Sequence, residues 1–211
     1  MAECHRSSNT KGGQVNVEYD ISCAKTDKAA YFGWLRALSW RTKLMLIIPM
    51  AVFTGITAQL RVPLPFTPVP ITGQVCAVLL SGVLLGSVGG MMSMVLYVGA
   101  GFAGIPWFTN AAVGMPIGPT AGYIIGFIPA AFVIGWAMHS QLITRSFLMM
   151  VSVMVIGVAV IYTCGALHFA FFMNTSVLTT LQCAVLPFIP VDICKIIIAA
   201  TIARVIIPLN R

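Results

Sequence analysis

After Lys43 the chain runs to Ile207 with charge only at Arg61, Arg145, Asp192, Lys195 and Arg204. The uncharged stretches between them are as long as a hydrocarbon core is thick, since about 20 apolar residues cross roughly 30 Å of lipid as a helix. Hydrophobic residues make up 59% of the 211 and charged residues 8%, against a charged share of about a quarter in water-soluble domains. A water-soluble fold is therefore excluded.

Six segments qualify as spans: residues 44–60, 72–86, 88–102, 120–138, 147–172 and 188–207. The expected fold is an all-α integral membrane protein with six transmembrane helices. The second and third segments adjoin at Gly86-Ser87-Val88-Gly89-Gly90. A continuous helix over both would reach roughly 46 Å, well beyond the hydrocarbon core, so a helical hairpin turning at the glycines is expected. Residues 1–42 read as a polar N-terminal tail and interfacial segment, and residues 43–211 as the membrane domain. Residues 1–30 carry both signs of charge and no apolar core of the kind a signal peptide needs, so a mobile tail is expected there. Aromatics and cations then alternate through Tyr31, Phe32, Trp34, Arg36, Trp40, Arg41 and Lys43, a headgroup-level pattern.

The net charge of +7 does not point to nucleic acid, because the cations sit at span ends and in loops. With six spans, Arg6, Lys11, Lys25, Lys28, Arg36, Arg41, Lys43, Arg145, Arg204 and Arg211 share one side, and Arg61 stands on the other. Cations favour the cytoplasmic side, so both termini are expected to be cytoplasmic. Residues 61–71, 104–119 and 173–187 then face outward, and their proline content suggests stiff walls or lids.

Four of the five acids, Glu3, Glu18, Asp20 and Asp27, precede residue 29, leaving Asp192 alone beyond it. A single carboxylate cannot form a two-carboxylate glycosidase pair or a carboxylate-rich metal cage. The six cysteines, Cys4, Cys23, Cys76, Cys164, Cys183 and Cys194, include no C-x-x-C pair, and His139 and His168 are isolated, so no metal or other cofactor is expected. No nucleophile has a base at recognisable spacing, which argues against an enzyme. There is no G-x-x-x-x-G-K-[ST] phosphate loop, so the chain by itself is no ATP-driven pump. Matching broken helices, the mark of an inverted-repeat transporter, are also missing.

Ionisable residues inside a bilayer are costly and mark function by default. Asp192 and Lys195 lie three apart in Pro190-Val191-Asp192-Ile193-Cys194-Lys195, hence on one helix face, near the outer end of the last span, where the helix dipole favours Asp192. Mutual neutralisation is one reading. A site for a small polar guest is the other, the carboxylate accepting N–H groups and the ammonium meeting an anion or carbonyl. Gln74, Trp107, Thr109, Asn110, Thr120 and Tyr123 are the further polar candidates, each also able to serve as cap or interfacial anchor, and Phe66 adds an aromatic face. Ala51 and Gly55 form a small-xxx-small pair on the first span, readable as internal packing or as a docking face for another membrane subunit.

Three stretches carry a family resemblance. Arg61-Val62-Pro63-Leu64-Pro65-Phe66-Thr67-Pro68-Val69-Pro70-Ile71-Thr72-Gly73-Gln74, Gly118-Pro119-Thr120-Ala121-Gly122-Tyr123 and Pro187-Phe188-Ile189-Pro190-Val191-Asp192-Ile193-Cys194-Lys195 together resemble the BioY family. These are the biotin-binding substrate-specificity components of energy-coupling-factor vitamin transporters. The resemblance implies a multi-pass protein of the bacterial cytoplasmic (inner) membrane that binds biotin near its outer face, with or without a membrane coupling protein and two cytoplasmic ATPases as partners. It also implies a lid over residues 61–71, including Arg61, Pro65 and Pro68, and ligand contacts from Asp192, Lys195 and Asn110. Ala51 and Gly55 would face the coupling protein. Ala121, Val191 and residues 111–117 depart from glycine-richer family patterns, and the sequence leaves open which end of biotin meets Lys195.

Overall fold

The computed structural model describes residues 37–109, 112, 118–138 and 146–207. The tail and most of the interfacial segment, residues 1–36, lie outside the described residues, as do Asn110, His139, Arg145 and Arg211.

The first helix, α1 (Trp40–Gln59), starts at Ser39, whose hydroxyl accepts the Thr42 N–H at 3.4 Å, as an N-cap side chain does. Its inner face is small or polar (Ala51, Thr54, Gly55, Thr57, Ala58), while Met45, Ile48, Phe53 and Ile56 are exposed. That inversion of a soluble helix is what a lipid solvent permits, since small faces pack and large apolar side chains meet lipid at no cost. The hydroxyls of Thr54 and Thr57 bond back to the carbonyls of Met50 and Thr54, both at 2.9 Å, which removes their need for outside partners.

Residues 61–72 correct the all-α expectation. They form an antiparallel hairpin of β1 (Arg61–Leu64) and β2 (Thr67–Thr72), with Arg61 opposite Thr72, Val62 opposite Ile71 and Leu64 opposite Thr67. The prolines forbid helix because they lack N–H donors, and a two-stranded ribbon accommodates them. The pairing shifts between Val62 and Leu64, at Pro63, where a bulge absorbs the missing donor. The Gly73 N–H then reaches the carbonyls of Thr57 and Leu60, at 3.2 and 3.0 Å, and pins the hairpin to the end of α1.

The next element, α2 (Gln74–Phe102), is broken at Gly86, where φ 74° and ψ −173° lie outside the helical range. Only glycine adopts that combination readily. The chain reverses there: Gln74 and Tyr97, which a continuous helix would hold about 34 Å apart, share a 2.7 Å hydrogen bond. Beside the turn, a Cβ on Gly90 would lie 2.9 Å from the Gly82 Cα, so the two arms touch backbone to backbone. The expected hairpin is thus present, each arm packed along the other.

The bundle is completed by α3 (Ala121–Ala137), α4 (Phe147–Met173), α5 (Val177–Ala184) and α6 (Ile189–Ile206). Helix α4 ends at Asn174 in the left-handed conformation, φ 49° and ψ 46°, with its N–H on the Ala170 carbonyl, a common helix stop. The α5 helix corrects the expectation of a plain loop over 173–187. Ser176 caps it by accepting the Thr179 N–H at 3.3 Å, and it meets α6 at a bend of 49°. By length and apolarity, Trp40–Gln59, Gln74–Phe102 and Phe147–Met173 can cross a membrane, and the α5–α6 pair makes a fourth if counted as one broken span. Helix α2 packs against α1, α3 and α6, and α4 against α3 and α6. Val78, Leu79, Met94, Tyr97, Ile134 and Met154 are fully buried at the centre.

Candidate functional site

Asp192 enters from the first turn of α6, placed by Pro190 at the helix start and by its own N–H donating to the Phe188 carbonyl at 2.9 Å. It is only 3% exposed. Burying a carboxylate in a bundle is tolerable only if both oxygens find donors, and both do. Lys195 Nζ donates to Oδ1 at 2.7 Å from one turn along the same helix, and the Tyr162 hydroxyl donates to Oδ2 at 2.6 Å from α4. The carboxylate therefore ties α4 to α6.

Three further polar ties surround it. The Tyr123 hydroxyl, on α3, donates to the Ala184 carbonyl at the end of α5, and its ring lies against the α4 backbone at Gly165. Gln74, at the head of α2, gives its amide N–H to the Tyr97 hydroxyl at 2.7 Å and accepts from the Thr72 hydroxyl at 2.9 Å. His168 Nε2 lies 3.0 Å from the Gly118 carbonyl. Among the described residues no buried side-chain nitrogen or oxygen lacks a partner, and no cluster of His, Cys, Asp or Glu could hold a metal.

Asp192, Lys195, Tyr162, Tyr123, Gln74 and Thr72 of these groups line a cavity of about 50 Å³. Its polar wall is Asp192, Lys195, Tyr162, Tyr123, Gln74 and Thr109, with the hydroxyls of Thr72 and Thr120. The apolar wall comes from Ile124, Phe127, Ile161 and Phe188, and β2 covers one side with Val69 and Pro70. A second cavity of about 180 Å³ lies between the β-hairpin and Thr109 and Thr120, with Arg61, Pro63 and Pro68 in its wall.

Of the candidates named from sequence, Asp192, Lys195, Tyr123, Gln74, Thr109 and Thr120 are brought together around the inner cavity. Phe66 is not among its lining residues. It sits at the hairpin turn beside exposed Pro65, with 60% of its surface free. Trp107 is likewise elsewhere: its indole N–H donates to the Tyr97 carbonyl at 3.0 Å, and its ring covers Gly55 on α1. Of the two uses open to Ala51 and Gly55, the structure displays internal packing. Ala51 is fully buried, and a Cβ on Gly55 would stand 3.0 Å from the Trp107 side chain, so the close-approach face is filled by this chain's own indole. The Gln59 amide closes the same clasp by donating to the carbonyls of Trp107 and Phe108, at 3.2 and 3.0 Å. Tyr162 was not singled out from sequence. A phenol in the middle of a long apolar helix needs a hydrogen-bond partner in lipid, and with one acid beyond residue 28 the pairing with Asp192 could have been inferred.

The profile of the BioY family matches residues 28–211. Among related proteins, the biotin transporter BioY of Thermotoga maritima is 34% identical over 160 residues, covering 74% of this chain and 92% of that protein. The probable biotin transporter BioY of Methanothermobacter thermautotrophicus is 36% identical over 138 residues, covering 61% and 88%. Among solved structures, the crystal structure at 2.1 Å of the S-component for biotin from an ECF-type ABC transporter superposes with a TM-score of 0.75 at 29% identity, covering 81% of this chain and 94% of that one.

Proposed function

Because the chain belongs to the BioY family, we propose that it is a biotin-capturing substrate-specificity subunit of an energy-coupling-factor transporter, and not an enzyme. The observation that carries the reading is the buried Asp192–Lys195 pair, steadied by Tyr162 and covered by the β-hairpin. A carboxylate offers about four lone-pair sites. Lys195 and Tyr162 use one on each oxygen, which leaves the carboxylate free to accept one N–H of a ureido ring, whose two N–H groups diverge on either side of the carbonyl. Lys195 has three N–H donors and spends one on Asp192, so another is available to the ureido carbonyl. Phe127, Ile124, Ile161 and Phe188 supply the apolar surface that the sulfur ring needs. Asn110, the remaining ligand contact implied by the family, lies in the segment that follows Thr109.

The resting cavity matches only a few water volumes at about 10–15 Å³ each, less than a biotin ring system requires. Entry therefore involves displacement of the β-hairpin, whose Val69, Pro70 and Thr72 form the movable side of the wall. That is the lid role for residues 61–71.

The spanning part, residues 43–211, is read as six crossings: α1, the two arms of α2, α3, α4 and α6. Reversal at Gly86 supports counting α2 twice, and six crossings with the cations grouped as in the sequence put both termini in the cytoplasm of a bacterial cell, in its inner membrane. Without a phosphate loop the subunit draws on a membrane coupling protein and two ATPases, or works alone by equilibration.

The test is equilibrium binding of labelled biotin to the detergent-purified protein beside Asp192→Asn, with other vitamins as competitors. Saturable binding that the variant loses, and that only biotin competes, is the expected result. A folded wild-type protein that binds no biotin would overturn the proposal, and competition by another vitamin would reassign the ligand.

A further inference from the structure

The inner and outer cavities share three lining residues, Pro70, Thr109 and Thr120, so the outer one is the vestibule of the inner one. Arg61 supplies the charge of that vestibule, whose other lining residues are proline, leucine and threonine. It stands on β1 directly opposite Thr72, and opposed residues of an antiparallel pair project to the same face of the ribbon. Thr72 lines the inner cavity, so the guanidinium stem starts from the cavity side of the lid.

The two cations differ in what they already hold. Lys195 is neutralised by Asp192 at 2.7 Å, whereas no acidic side chain pairs with Arg61 among the described residues. An anion placed in the inner cavity would sit beside the Asp192 carboxylate, which like-charge repulsion and desolvation both oppose. An anion in the vestibule meets an unpaired guanidinium fork, the geometry best suited to a carboxylate.

From this we infer that Arg61 is the anchor for the carboxylate of the ligand tail, so that biotin lies with its ureido head at Asp192 and Lys195 and its tail under the β-hairpin. The inference rests on the biotin reading above and adds the ligand's orientation and a specificity determinant for an anionic tail. It also gives the lid a reason to close, because the bound tail draws β1 down onto its own ligand.

The experiment compares biotin with biotin amide, whose tail is neutral, on wild type, Arg61→Gln and Lys195→Met. Wild type should prefer biotin by about tenfold, the worth of one charge-assisted hydrogen-bonded pair. Arg61→Gln should bring that ratio to about one. Lys195→Met should weaken both ligands and leave the ratio standing. The inference is overturned if Arg61→Gln keeps the preference, or if Lys195→Met is the variant that abolishes it, which would turn the ligand round. A folded wild type that binds neither ligand overturns the biotin reading itself, a result distinct from bound ligand with the wrong ratio. Arg61 is exposed on the ribbon, so its substitution leaves the bundle intact.

Discussion

At the Asp192 end the helices meet through side-chain hydrogen bonds: Tyr162 to Asp192, Tyr123 to the Ala184 carbonyl, Gln74 to Tyr97. At the Gly86 end they meet through backbone, a contact the site end also makes on its α3–α4 seam, where a Cβ on Gly122 would lie 2.5 Å from the Cys164 carbonyl oxygen. At the Gly86 end a Cβ on Gly82 would stand 2.8 Å from the Ala131 carbonyl, and a Cβ on Gly135 would collide with the Gly86 carbonyl carbon. Long polar side chains hold elements apart and leave a cavity between them, whereas glycine faces let elements close completely. Under the proposed binding role, the cavity end is the one a guest would open and the glycine-packed end the one that would stay shut.

The strongest way to break that comparison is Asp192→Asn. The substitution leaves the partly buried Lys195 with no counter-charge and presents an amide N–H group to Tyr162 or to the ligand's own donors. The ligand also loses a charged acceptor, a hydrogen bond worth about 1.5–3 kcal/mol, so biotin affinity should fall by about tenfold to a hundredfold in equilibrium binding. Affinity within threefold of wild type would mean that the site end owes nothing to the pair.

Next in size is Gly135→Ala at the opposite end. The added methyl meets backbone at the Gly86 turn, which cannot rotate away as a side chain can, and overpacking of that kind costs about 2 kcal/mol. Thermal unfolding of the detergent-purified protein should occur at a lower temperature, while the folded fraction binds biotin as wild type does. A matching loss of affinity would show the two ends to be coupled and the contrast between them false. A smaller effect sharpens the site itself: Tyr162→Phe removes one hydrogen bond to a charged group, worth about 1.5 kcal/mol, and should weaken biotin about tenfold in the same binding assay. Normal affinity would make Tyr162 a brace between α4 and α6 alone.

The sequence discloses these two ends unequally. Asp192 and Lys195 stand out because charge in an apolar run is rare and costly, and the turn at Gly86 because an unbroken helix would be too long for the membrane. Tyr162 is legible only in combination, since a tyrosine in a span resembles any other aromatic until the single acid beyond residue 28 is considered as its partner. The β-hairpin at 61–72 was legible as stiff and proline-rich but not as a ribbon, because its register depends on which residues face the cavity. Trp107 lies away from the inner cavity for a related reason: an indole two residues before Thr109 is close to the cavity along the chain, yet its ring packs on the small-residue face at Gly55.

That last contact bears on two uses of one face, and the smallest predicted effect tests between them. In Gly55→Ala the new methyl would lie 3.0 Å from the Trp107 side chain, a conflict that a few tenths of an ångström of ring movement relieves, so the stability loss should be about 0.5–1 kcal/mol. If the face serves only the intrachain clasp, biotin binding and energy-coupled uptake should both stay near wild type while unfolding shifts slightly. If a coupling subunit instead displaces Trp107 to reach Ala51 and Gly55, the methyl obstructs that approach, and uptake should drop with binding unchanged. Measuring uptake in cells beside binding in detergent separates the two, because the clasp acts within this chain and a docking face acts only in the assembled transporter. The burial of Ala51 and the two bonds from Gln59 to the Trp107 loop favour the clasp, which would place any docking surface on the exposed side of α1, among Ile48, Val52 and Ile56.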